Sequence, residues 1–144
     1  MFAAQASDGA GLLLEFRPLG HRYRVIDRTP ALGLVACATQ LESGVLLAGG
    51  QHGYVAELGP NGLSALPLPS ELDVSAVALD ILGTKWAATL GTLWTQQGDF
   101  KPAWSNPDWA SPFVSIFADV GRVVAVTADG AIVQAERSLG MQTR

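Results

Sequence analysis

The sequence is poor in charged residues and in cysteine. Charged residues make up 15% of the 144 positions, against roughly 25% in an average soluble domain. The formal net charge is −4, and the few basic residues are scattered, which argues against nucleic-acid and anionic-membrane partners. With Cys37 as its one cysteine, the chain forms no intramolecular disulfide. So low a charge content predicts that a partner or a second copy covers part of the surface.

Long hydrophobic and helical patterns are also missing. No run reaches 18 apolar residues, and no stretch of ten or more shows the helical period of 3.6. The first residues lack the basic and apolar regions of a signal peptide, so we expect a cytoplasmic location. Cys37 lies in an apolar run, Leu34 to Ala38, which predicts a small buried side chain rather than a catalytic thiol.

A repeat is the strongest positive feature. Segments that start at residues 45, 85 and 122 share an apolar strand, a glycine turn and a second strand, in steps of 40 and 37 residues. A period near 40 that is built of short strands is typical of propeller blades. Asp8-Gly9 and Asp129-Gly130 are strong hairpin signals, because Asp and Gly tolerate the positive φ of such turns.

The strand pattern predicts an all-β fold of antiparallel four-stranded blades. We name the strands of a blade A to D from the inside outward. The predicted A strands are 34–39, 74–79 and 113–118, and the predicted outer strands lie near 63–68 and 100–105. The first segment fits only strands B, C and D, so the predicted order is BCD-ABCD-ABCD-ABC, about three and a half blades at roughly 1–29, 30–70, 71–110 and 111–144 of a single domain. A last short strand at 139–143 is also expected.

This pattern resembles the broad β-propeller repeat class, which includes WD40-like, quinoprotein-like and BNR-like repeats. The resemblance rests on the repeated apolar strand, the Asp-Gly or His-Gly turn and the second strand. It implies a closed ring of about four to eight blades. The chain then closes alone as a small four-bladed ring, pairs with a second copy as a homodimer, or joins another chain. An open arc exposes strand edges, so we expect that the free monomer is not stable.

Few residues suggest chemistry. Asp80 and Asp119 follow two A strands, with Gln40 at the third such position, and form a conceivable acid pair at the channel mouth, joined by Glu42. The alternative is that each aspartate caps the amides of its own turn, and we expect the same of Asp8 and Asp129.

Metal and cofactor sites are not predicted. His21 and His52 lie in different strand contexts without a partner at metal spacing. The segment 44–50 is rich in glycine but lacks the lysine and the helix of a phosphate-binding loop.

Four tryptophans remain. Trp86 and Trp94 lie within strands and are predicted to pack between blades. Trp104 and Trp109 flank a turn-rich link, and with Asn106 and Asp108 they form a candidate partner-binding loop, unless both rings pack the link against its blade. The leading hypothesis is a non-catalytic scaffold for protein interaction or self-association. The alternative is a hydrolase or lyase of sugar or lactone type with an acidic site at the channel.

Overall fold

The chain folds into four small antiparallel β-sheets that follow one another along the sequence. The structure is a computed structural model and describes residues 2–29, 33–39, 44–120 and 122–136. The sheets contain three, four, four and three strands, and in each of them neighbours in sequence are neighbours in space. The predicted all-β class is therefore confirmed. We call the second and third sheets the central sheets and the first and fourth the end sheets.

The strands alternate with tight turns throughout. The first sheet contains β1 (Phe2–Gln5), β2 (Gly11–Arg17) and β3 (Arg22–Thr29). The second contains β4 (Leu34–Thr39), β5 (Leu46–Gly50), β6 (Val55–Gly59) and β7 (Gly62–Leu66), with a 3-10 turn at Gln51–Gly53. The third contains β8 (Ala76–Leu79), β9 (Lys85–Thr89), β10 (Thr92–Gln97) and β11 (Asp99–Ser105). The fourth contains β12 (Phe113–Asp119), β13 (Arg122–Thr127) and β14 (Ile132–Glu136).

These strands lie close to the predicted positions. The predicted strand at 34–39 coincides with β4, and the predicted outer strands correspond to β7 and β11. The predicted strand at 74–79 begins two residues later, as β8, because the amide of Val74 donates to the carbonyl of Gly50 instead of to its own sheet (2.9 Å). The predicted strand at 139–143, Gln40, Glu42 and the side chain of Cys37 lie outside the described residues.

The sheets stack face to face, and each contact between neighbours forms one hydrophobic cluster. Leu13 of the first sheet packs with Leu46 and Ala48 of the second. The opposite face of the second sheet packs against the third, and the third packs against the fourth through Trp86 and Val123. The first strands of neighbouring sheets lie side by side in the order β1, β4, β8, β12. Alternation along the strands thus gives each central sheet two buried faces.

Candidate functional site

Asp80 occupies the turn between β8 and β9 and is 1% exposed. Its Oδ1 accepts hydrogen bonds from the amides of Leu82 (2.9 Å) and Thr84 (2.8 Å). Its Oδ2 is buried and has no hydrogen-bond partner among the described residues. Asp80 therefore caps its own turn, as the structural alternative predicted, and its carboxylate is shielded from a dissolved substrate.

Asp119 occupies the equivalent turn between β12 and β13 but is exposed. Its Oδ1 accepts from the amide of Val120 (2.7 Å), and its Oδ2 lies 3.3 Å from the guanidinium of Arg122. Both aspartates thus bind turn amides, and one of them is also neutralised by an arginine. This arrangement favours turn capping over a pair of carboxylates that share a proton.

The turn aspartates of the two end sheets share one geometry. Oδ1 of Asp8 accepts from the amide of Ala10 (3.1 Å), and Oδ1 of Asp129 accepts from the amide of Ala131 (3.4 Å). The Ala10 amide, followed by the nearby Arg28, holds the pKa of Asp8 below its ordinary value. The Thr127 hydroxyl, followed by the Ala131 amide, does the same for the pKa of Asp129. Their predicted structural role in hairpin turns is confirmed.

The candidate binding loop, residues 104–109, is anchored by its aromatic rings. Trp104 meets Trp109 edge to face (5.3 Å between ring centroids), and Trp109 stacks on Phe113 at 6.3 Å with an interplanar angle of 12°. Both tryptophans are half-buried, and Nε1 of Trp109 is buried without a partner among the described residues. The rings therefore pack the link against the sheets.

Backbone hydrogen bonds hold the rest of this loop. The amide of Asn106 donates to the carbonyl of Gly91 (2.8 Å), and Oδ1 of Asn106 accepts from the amide of Asp108 (3.0 Å). Asn106 is therefore committed to the turn, whereas the side chain of Asp108 is exposed. Of the four predicted binding residues, Asp108 is the one that presents its polar group to solvent most fully.

A surface groove runs beside this loop at the end of the stack where the inter-sheet links pass the hairpin turns. It consists of two depressions of about 520 Å³ and 470 Å³ that meet at Ala110 and Pro112. We call it the link groove. Its walls carry the carboxylates of Glu71, Asp73, Asp108 and Asp129, and its lining contains no lysine or arginine.

Sequence reasoning missed Glu71 and Asp73 in this groove. A signal was available, since two of the three inter-sheet links, those after β7 and β11, carry acidic residues before the next sheet begins. The pattern of strands does not show, however, that both links reach the same end of the stack. The hydrogen bond from the amide of His52 to Oδ1 of Asp73 (3.0 Å) fixes one link to the neighbouring turn.

The two histidines lie in turns with positive φ, His21 at 49° and His52 at 57°. Within the part of the chain that the structure describes, no three His, Cys, Asp or Glu side chains come together to hold a metal ion. No helix among the described residues is long and apolar enough to cross a membrane.

The outward faces of the end sheets form a second candidate site. In the first sheet, Leu13 faces the second sheet, so alternation turns Leu12, Leu14 and Phe16 outward, where Val25 pairs with Leu14 and Tyr23 with Phe16. We call these five residues the first end face. In the fourth sheet, Val123 and Ala125 face the third sheet. The outward residues Phe117, Val124, Val126 and Ile132 form the last end face, in which Phe117 pairs with Val124 and Val126 with Ile132.

Both end faces are open in the single chain. Phe117 is 73% exposed, Ile132 71% and Tyr23 65%. In the described residues, every exposed large hydrophobic side chain that lies within a strand belongs to one of the end sheets. In the described part of the chain, the first sheet therefore does not pack on the last.

Comparison with known proteins gives the fold alone. No family model and no curated protein matches the sequence. The solved structures similar to the chain include the extracellular domain of a putative one component system, BT4673, from B. thetaiotaomicron (16% identity, TM-score 0.63, 93% of this chain and 21% of that chain). They also include a nidogen/laminin complex (14% identity, TM-score 0.69, 93% of this chain and 56% of that chain). A third is virginiamycin B lyase from Staphylococcus aureus (14% identity, TM-score 0.58, 94% of this chain and 55% of that chain).

These likenesses support a β-propeller-like fold. The chain spans about a fifth of the length of the first of these structures and just over half of the other two. At such low identity, the activities and partners named for those proteins do not carry over to this chain.

Proposed function

We propose that the chain is a non-catalytic β-propeller scaffold for protein interaction, with about three and a half blades in the predicted order BCD-ABCD-ABCD-ABC. The ring is completed by a second copy or by another chain. The observation that carries this proposal is the pair of apolar end faces on an otherwise well-buried stack, since large exposed apolar patches mark interaction surfaces.

The turns of the first sheet bear on the phase of the first blade. The hairpin from β1 to β2 and the hairpin from β13 to β14 have the same backbone hydrogen bonds: Ala6 to Ala10 in one and Thr127 to Ala131 in the other. A register shift occurs between β2 and β3 and again between β10 and β11. The same hydrogen bonds also occur between Asp80 and Thr84 in the turn from β8 to β9, and β1 lies beside β4 as β4 lies beside β8. The turns therefore fit either an A or a B strand at β1, and the order BCD-ABCD-ABCD-ABC stays a prediction.

The link groove is the second surface that we assign to recognition. The half-buried ring of Trp109 lines the groove beside the exposed carboxylate of Asp108, and Trp104 contacts Trp109 from outside this lining. An aromatic ring beside a carboxylate suits a protein partner, because aromatic residues dominate interface energetics. Asn106 shapes the loop rather than contacting the partner, since its side chain holds the turn. The proposal keeps the cytoplasmic location predicted from the sequence.

The geometry of the acids favours a scaffold over the hydrolase or lyase alternative. A general acid or base must reach its substrate, whereas Asp80 is buried and bonded to two amides and Asp119 is paired with Arg122. Burial of Asp80 and the pairing of Asp119 with Arg122 thus support a scaffold more than a paired acid site.

Calorimetric melting with and without ligands tests the scaffold proposal. We expect no shift in Tm with Ca²⁺, Mg²⁺, Zn²⁺ or a panel of sugars and lactones, because a ligand that binds the native state must raise Tm. A shift of several degrees that disappears in Asp80→Asn or Asp119→Asn would instead support the hydrolase or lyase. The variant Asp108→Asn is the matched control, since this carboxylate lies outside both turns.

A further inference from the structure

We infer that the two end faces bind each other between two copies of this chain, head to tail, and so close a ring of eight sheets. The inference rests on the proposed function, because it takes the four sheets as blades of an open arc. At one junction, the last end face of the first copy covers the first end face of the second copy. At the other junction, the last end face of the second copy covers the first end face of the first copy.

Two strands of the end sheets, β2 and β13, have the composition of strands that are buried on both faces, whereas β14 alternates apolar and polar residues. Val123, Val124, Ala125 and Val126 form an unbroken apolar run in β13, and Leu12, Leu13 and Leu14 form another in β2. A sheet with one face in water shows apolar and polar residues in alternation instead. Among the described residues, one face of each of these strands is covered by the neighbouring sheet. The outward apolar residues of β2 and β13 are therefore available for a second contact.

The contacts between sheets within the chain indicate which face each end face would pack against. Each of the three sheet–sheet contacts joins the forward face of one sheet to the backward face of the next, where forward means toward the C-terminal neighbour. The last end face is a forward face, and the first end face is a backward face. Packing one on the other repeats a contact that the chain already makes three times. Packing two last end faces together would join forward to forward, an arrangement with no precedent in the arc.

The polar groups at the borders of the end faces suit such a contact. Arg28 lies opposite Leu12 and is the one charged residue that is paired with a residue of the first end face. Its guanidinium forms an ion pair with Asp8. At the border of the last end face, Asp119, Arg122 and Glu136 form a row across the sheet, and Arg122 lies 3.3 Å from Asp119. The last end face also contains Gln134, opposite Val124. A largely apolar patch with charged residues at its border has the anatomy of a protein interface.

The size of the arc fits two copies. Nearly the whole chain aligns with 56% of one propeller-like chain and 55% of another, so one copy supplies about half of such a fold. Two copies provide eight sheets, within the four to eight blades of closed propellers. Head-to-tail contacts that close after two copies give a finite particle rather than a filament.

Light scattering of the purified chain, with two face-specific variants, tests the inference. We expect a mass twice the 15.1 kDa of one chain. Phe117→Glu damages the last end face, Tyr23→Lys damages the first, and each variant alone damages both junctions of a head-to-tail pair. Each is therefore expected to raise the dissociation constant at least about 30-fold, as for a central interface residue, and to run as a single chain.

An equimolar mixture of the two variants tests directly whether unlike end faces meet. In an equimolar mixture, a mixed pair has one junction between undamaged faces and one junction that joins the introduced glutamate to the introduced lysine, so we expect the mixture to regain the double mass. This regain also shows that both variants are folded. Leu82→Glu is the matched control, because Leu82 is 68% exposed in a turn of a central sheet, and it is expected to keep the double mass.

Other outcomes overturn the inference. A monodisperse wild-type mass of 15.1 kDa excludes the pair, and open-ended polymers exclude the closed ring. Loss of the double mass in one variant but not in the other indicates that like faces meet, and failure of the mixture to regain it excludes head-to-tail packing. Each result leaves the scaffold proposal standing, since another chain can still complete the arc. A ligand-dependent shift in Tm would count against the scaffold whatever the mass.

Discussion

The central sheets and the end sheets are built from one sequence repeat, yet they differ in how many of their side chains are buried. All five residues of β5 in the second sheet are buried, whereas β12 in the fourth sheet has one fully buried residue among seven. Both kinds of strand are rich in apolar residues. The difference therefore comes from position in the stack and not from composition. A strand in an arc takes its environment from both neighbouring sheets, and an end sheet has one neighbour within the chain.

Removing a large side chain from a contact between sheets gives the largest expected effect. Trp86 is fully buried between the third and fourth sheets, so we expect Trp86→Ala to lower the free energy of unfolding by about 3–5 kcal/mol. Phe117→Ala, at the last end face, is expected to change it by less than about 0.5 kcal/mol in a dilute single chain. Urea denaturation at low protein concentration measures both.

Equal losses for Trp86→Ala and Phe117→Ala in the single chain would contradict the distinction between covered and open sheets. Raising the protein concentration sharpens the comparison. Association through the end faces adds stability that depends on concentration, and Phe117→Ala reduces this part whereas Trp86→Ala reduces the stability of the single chain.

The sequence predicts most of this fold because period-2 patterning and turn residues are local signals. Asp8-Gly9 and Asp129-Gly130 mark their hairpins directly, and the register follows once the turn is fixed. The weaker turn signals His52-Gly53 and Leu90-Gly91 are recognisable from their place in the repeat. The predicted strand at 74–79 is too long because a hydrogen bond to another sheet decides where β8 begins.

The candidate sites are less accessible to sequence reasoning. The capping roles of Asp8 and Asp129 follow from short-range turn chemistry. The link groove depends instead on which ends of distant strands meet, so the strand pattern does not reveal Glu71 and Asp73. The packing of Trp109 on Phe113 depends on the path of a link. The repeat period of the sequence does not determine that path.

The hairpin turns offer a second comparison between central and end sheets. Gly53 and Gly130 both have positive φ, at 72° and 86°. A Cβ at Gly53 would lie 1.8 Å from the carbonyl oxygen of Ser70 in the overlying link, whereas a Cβ at Gly130 would meet nothing within 4 Å. We expect Gly53→Ala to cost about 2–4 kcal/mol, and Gly130→Ala about 1 kcal/mol from backbone strain alone.

Thermal unfolding of the two glycine variants isolates the effect of the link, because both substitutions carry the same left-handed strain. Similar losses for the two would mean that the link over the central turn moves aside without cost. In that case the links would be only weakly bound to the turns, and they would contribute little to the burial of the central sheets.

The smallest expected effect concerns the acids of the end-sheet turns. The Thr127 hydroxyl and the Ala131 amide hold the pKa of Asp129 below its ordinary value of 3.8. A carboxyl whose pKa is lowered on folding adds stability above its unfolded pKa, and this stability is lost as the pH falls through the folded pKa. We therefore expect Asp129→Asn to lower Tm slightly at about pH 6 and to match the wild type at about pH 2. Leu90→Asn, which changes the residue before the turn glycine of a central hairpin, removes no titrating group, so its effect on Tm is expected to be the same at both values. A difference between wild type and Asp129→Asn that stays constant with pH would assign the role of Asp129 to turn shape rather than charge.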